Sequence, residues 1–176
     1  ASGEITVNNE DIELVALFDP IQYNVKYVGG TGATGTMPDQ TFTYGQEGQS
    51  LNECKFTKTK SRFLGWSKKN GAKVAEYYDR QPISTLSTTD NATVTLYAVW
   101  VGADAKTYPV NYLQPTGGSL KVTAGGETVG AGTEVLAGTS LSVEAKPDAG
   151  YTLASLLVNG QQHTSGDSHV VRSETT

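Results

Sequence analysis

The sequence predicts a mainly β chain of small tandem modules, with short strands, many turns and little or no helix. Three observations carry that prediction. Polar and apolar residues alternate over short runs such as Tyr23-Asn24-Val25-Lys26-Tyr27, and no stretch sustains a helical period. Glycine, 20 of 176 residues, clusters between the runs, as in Gly29-Gly30-Thr31-Gly32 and Thr116-Gly117-Gly118-Ser119. Strand-like runs also recur. Asp11-Ile12-Glu13-Leu14-Val15-Ala16-Leu17-Phe18 reads like Thr93-Val94-Thr95-Leu96-Tyr97-Ala98-Val99-Trp100, and Tyr23-Asn24-Val25-Lys26-Tyr27 like Tyr108-Pro109-Val110-Asn111-Tyr112.

The elements follow in order. Residues 1–20 read as the closing strand of a truncated upstream repeat, with Ile12, Leu14, Ala16 and Phe18 on one face. A first module is expected over 22–101, with strands at 23–28, 40–44, 62–67 and 93–100. Phe42 and Tyr44 share a face of its second strand. Gly65, inside the third, marks a place where another backbone comes close. Lys68-Lys69-Asn70-Gly71 is a turn. Glu76-Tyr77-Tyr78 reads as a short strand, and Pro82 to Leu86 is where a helical turn would fit. Residues 102–106 form a short linker that limits the relative angles of its neighbours.

A second module is expected over 107–176. Its strands fall at 108–112, 119–123, 139–145 and 153–158, with turns at Gly125-Gly126, Gly130 to Gly132, Pro147-Asp148-Ala149-Gly150 and Asn159-Gly160. Val170-Val171-Arg172-Ser173-Glu174-Thr175-Thr176 lines up with Thr6-Val7-Asn8-Asn9-Glu10-Asp11-Ile12. The second module is therefore expected to lack its last strand. The unpaired head strand, through Ile12, Leu14, Ala16 and Phe18, is expected to dock head to tail on a neighbouring molecule or to pack on the first module.

The first module resembles the Listeria–Bacteroides repeat, the internalin B-type B repeat. The similarity lies in Val25-Lys26-Tyr27 with Gly29-Gly30, in Gly35-Thr36-Met37-Pro38-Asp39-Gln40, and in Tyr44-Gly45. Phe63-Leu64-Gly65-Trp66 and Leu96-Tyr97-Ala98-Val99-Trp100 complete it. One departure stands out: Lys60-Ser61 occupies the places where such repeats carry Gly-Tyr. The second module is similar to divergent relatives of the repeat through Gly117-Gly118-Ser119-Leu120, Gly138-Thr139-Ser140-Leu141, Pro147-Asp148-Ala149-Gly150-Tyr151 and Val158-Asn159-Gly160. The resemblance implies small β-grasp-like modules strung along exported bacterial surface proteins as stalks or adhesive spacers. It carries no ligand-binding residue over.

Composition narrows the function classes. With a net charge of −5, the chain has no basic footprint for nucleic acid. No apolar run approaches the roughly 18 residues that a bilayer-spanning helix needs. Cys54 is the only cysteine and the first module holds no histidine, so a Cys–His nucleophile is not expected. His163, Asp167 and His169 lie in a polar segment that reads as a solvated loop rather than a metal site. No catalytic residue, metal or cofactor is expected. Trp66, Tyr77 and Tyr78 are the candidate ligand contacts, as aromatic platforms for a glycan, although Trp66 reads first as core. Lys55, Lys58, Lys60, Arg62, Lys68 and Lys69 form a cationic cluster, read as a solvated face, a patch for anionic glycans or a contact with an acidic neighbour.

The expectation is a non-catalytic repeat region of an extracellular or cell-surface bacterial protein, a stalk or adhesive module. Its partners would be a host or bacterial surface protein or a glycan. The alternative is a carbohydrate-binding accessory region of a larger secreted enzyme.

Overall fold

The computed structural model describes Glu13, residues 15–166 and, for the backbone alone, residues 168–170. Among these residues the fold is all β, with no helix. The first half contains β1 (Gln22–Val28), β2 (Ala33–Thr34), β3 (Gln40–Thr43), β4 (Thr57–Lys58), β5 (Ser61–Ser67) and β6 (Thr93–Gly102). The second half contains β7 (Thr107–Val110), β8 (Gly118–Ala124), β9 (Glu127–Thr128), β10 (Thr133–Leu136), β11 (Ser140–Pro147), β12 (Leu156–Val158), β13 (Gln161–His163) and β14 (Ser168–Val170).

The principal sheet of the first half runs β3-β1-β6-β5. β1 and β6 pair in parallel, Asn24 opposite Thr93 through Val28 opposite Tyr97, and the other pairs are antiparallel. Alternation along β1 buries Tyr23, Val25 and Tyr27. They join Phe42, Leu51, Trp66, Ile83 and Leu96 in one core. Tyr23 sits opposite Phe42 in register, and the two rings stack at 5.8 Å. Trp66 lies among Tyr27, Phe56 and Phe63, with its indole N–H buried and unpaired among the described residues. Trp100 Nε1 donates to the Gly29 carbonyl at 2.8 Å, which fastens the end of β6 to the turn after β1.

The second half divides into a β14-β11-β8-β9 sheet and the pairs β10-β7 and β12-β13. Asn159 and Gly160 both take positive φ, the backbone a two-residue hairpin turn needs, and join β12 to β13. Val122, Ala124, Val129, Val135 and Leu141 form its core.

Several expectations are corrected. Residues 15–18 form no strand, and Ala16 and Phe18 are exposed rather than docked on the first half. An alternating run without a partner has no ladder to join. Asp11, Ile12 and Leu14, like residues 171–176, lie outside the described residues. Pro82 to Leu86 hold no helical turn, because Pro82 bridges Ser50 and Ile83 N–H bonds to Gln49. The strand expected over 153–158 is confined to Leu156–Val158. The segment around His163 is not a loop but β13, followed by β14. Strand β10 and the short strands β2, β4 and β9 add to the expected set.

Candidate functional site: the joint between the halves

The most elaborate arrangement of side chains lies where the two halves meet. It begins with Gly65. The register of β5 against β6 slips between Phe63 and Gly65, so the strand bulges there. A Cβ at Gly65 would stand 2.4 Å from the Tyr77 carbonyl oxygen and 2.7 Å from the Ala75 Cβ. Only glycine lets the chain at 75–77 lie so close. That chain is held by Trp66 N–H to Tyr77 O at 2.7 Å and by Glu76 N–H to Trp66 O at 2.8 Å.

Clamped this way, the segment turns two successive side chains to different cores. Ala75, fully buried, packs with Leu64, Val99 and Val101 of its own half. Val74, 4% exposed, enters the core of the other half among Val122, Ala124, Val129, Val135 and Leu141. Burial of one valine contributes roughly 1.5–3 kcal/mol. The backbone follows the side chain. Ala75 O accepts from Gly130 N–H at 3.0 Å and from the buried Thr133 hydroxyl at 3.1 Å. A Cβ at Gly130 would stand 1.8 Å from Glu76 O, so no side chain fits between the two chains.

Ion pairs flank this contact. Lys69 Nζ lies 2.7 Å from Glu127 Oε1, and the Lys73 N–H donates to Glu127 Oε2 at 2.7 Å. The Glu127 side chain is only 13% exposed. Burial pushes its carboxyl up, but Lys69 and the Lys73 N–H outweigh burial and hold it below its ordinary value. Arg62 pairs with Glu134 at 3.0 Å and also bonds the Thr107 hydroxyl. The Thr107 hydroxyl, and after it Arg62, hold the Glu134 carboxyl below its ordinary value against its partial burial. Two members of the cationic cluster thus meet an acidic neighbour, and that neighbour is the other half of the same chain.

The three candidate ligand contacts end in different places. Trp66 is fully buried among the rings of Tyr27, Phe56 and Phe63 and offers no face to a ligand. Tyr77 is half-buried against the first core, and desolvation first, then Glu76, pushes its phenol up to about 12. Tyr78 is 38% exposed, and a Cβ at Gly132 would come within 3.4 Å of its ring. Tyr78 therefore rims the joint. The structure does not bring the three together as one platform.

An aromatic that sequence reasoning passed over is Tyr151, 58% exposed. It overhangs an open groove of about 170 Å³ shared with Pro115, Lys146 and Leu153. Gly117 makes room for its ring, since a Cβ there would stand 2.4 Å away. The signal available was the Gly-Tyr pair after Pro147-Asp148-Ala149. Burial pushes the Cys54 thiol up to about 11, so it is protonated near neutral pH. Among the described residues, no group of three or more His, Cys, Asp and Glu stands together as a metal-ligand set. No known family, curated protein or solved structure matches the chain.

Proposed function

We propose that the chain is a non-catalytic repeat region of a bacterial cell-surface or secreted protein, serving as a stiff spacer. Its two halves are read as β-grasp-like repeats of the kind the first half resembles. The observation that supports this reading is the joint. A side chain of one half completes the core of the other, the Ala75 carbonyl accepts from the Gly130 N–H and the Thr133 hydroxyl across it, and ion pairs bracket it. Such a joint resists bending, which a tether alone does not. A stalk needs this property, because reach depends on repeats holding a fixed angle.

The second reading is a carbohydrate-binding accessory region, which the exposed ring of Tyr151 over its groove favours. Affinity electrophoresis against a panel of soluble polysaccharides separates the two. The spacer reading expects no retardation by any of them. Specific retardation that is lost in Tyr151→Ala, with the fold intact by circular dichroism, would overturn it.

A further inference from the structure

The two halves treat equivalent first strands differently. In the first half β1 has a partner on each side, β3 antiparallel and β6 parallel. In the second half β7 has β10 antiparallel, and among the described residues no strand pairs with its other edge. Three consequences are visible. β7 stops at Val110, although the match to β1 extends to Leu113, opposite Val28 in the alignment. Val110 and Tyr112 stay half-buried, whereas their counterparts Val25 and Tyr27 are 0% and 5% exposed. Leu113 is 89% exposed, whereas Val28 is half-buried. Among the described residues, no strand covers the second core along the flank that β6 covers in the first.

The chain also carries a segment patterned like β6, of which the described residues 15–18 form no strand. Residues 11–18 match residues 93–100, and Val15, Leu17 and Phe18 are 71%, 92% and 90% exposed. We infer that residues 11–18 of one molecule add to the open edge of β7 of a second copy, parallel to it, in the register that β6 adopts on β1. That register sets Ile12 beside Val110, Leu14 beside Tyr112 and Val15 beside Leu113. Ile12 and Leu14 then fall on the core face, as Val94 and Leu96 do in the first half. The charges agree: Glu10, Asp11 and Glu13 meet an edge, residues 106–113, that contains Lys106 and no acid.

The edge also has a gap. Asn24 N–H donates to Ala92 O at the mouth of the β1–β6 pair, and Pro109 occupies the matching place with no N–H to give. The addition is therefore weaker than its internal counterpart, and its bonds concentrate at Asn111 and beyond. Each molecule offers one head and one edge, so the contact is heterologous and propagates as an open chain. This inference does not depend on the spacer reading.

The test is sedimentation velocity of the whole chain over a concentration series, beside a variant lacking residues 1–18 and the variant Asn111→Pro. The weight-average mass of the whole chain should rise with concentration. Both variants should remain at the mass of one chain, with unchanged circular dichroism. A synthetic peptide of residues 8–20 added to the deletion variant should slow amide exchange at 110–113, and the same peptide with Leu14→Asp should not. A whole chain that stays monomeric at every concentration would overturn the proposal, and that includes the case in which its own head folds back on β7. Association that survives the deletion, or peptide protection confined to residues elsewhere, would overturn it as well.

Discussion

Lys60 shows how a single residue can keep a turn at a cost. It stands between β4 and β5 with φ at 53°, a left-handed conformation that costs an L-residue roughly 1–2 kcal/mol. Lys60→Gly should relieve that strain and give back part of the gain through the freer unfolded chain. A net rise of about 0.5–1 kcal/mol in urea-derived stability is expected, and a fall would contradict the account. Cys54 gives a second test at this scale. Burial holds its thiol protonated up to about 11, so alkylation by iodoacetamide at pH 8 should run at least tenfold slower in the folded chain than in urea. A folded-state rate equal to the unfolded one would contradict the assigned burial. Trp66 was legible as core because it ends an apolar block. Strand alternation implied that at least one of Tyr77 and Tyr78 faces solvent, and Tyr78 is the exposed one, but its seat against Gly132 was not legible, since that neighbour lies far along the chain.

At the scale of elements, the strands with strong alternation were readable, and β1, β3, β5 and β6 fall within a few residues of the expected 23–28, 40–44, 62–67 and 93–100. Alternation is a local signal and needs no partner to be seen. The short strands β2, β4 and β9 have two residues each, too few to carry a period. The stretch 72–78 was ambiguous for a different reason. It pairs with β5 only through the Gly65 bulge, and its outward valine belongs to a core some fifty residues further on. A sequence window cannot display such a partner. Close backbone approach makes this element brittle at one point. Gly130→Ala should lower stability by about 3 kcal/mol in urea titration, because the added methyl meets Glu76 O in a chain already fixed from its other side. Gly102→Ala, whose new methyl would find its nearest neighbour 4.0 Å away, should change stability by less than about 0.5 kcal/mol. Equal effects would remove the argument from close approach.

The whole molecule depends on the joint rather than on the linker, although residues 102–106 are themselves pinned by Ala103 N–H to Lys60 O and Ala105 N–H to Gly102 O. The paired acids make the joint sensitive to pH. Both Glu127 and Glu134 are held below 4.5 in the fold, so on acidification the unfolded chain takes up protons first. Their contribution is complete well above 4.5 and is lost as the pH falls through the depressed folded values. Urea midpoints should therefore fall below pH 4.5, and the fall should shrink when Glu127→Gln and Glu134→Gln are combined. An unchanged acid dependence in the double variant would assign the loss to other carboxylates. The central claim is that Val74 and its surroundings hold the two halves at one angle. Double electron–electron resonance tests it most directly, with spin labels at the exposed positions Glu47→Cys and Ala149→Cys in a Cys54→Ser background. A single narrow distance distribution is expected, one that broadens when Val74→Asp places a charge in the second core. A broad distribution with Val74 intact, or a narrow one that Val74→Asp leaves unchanged, would contradict the account.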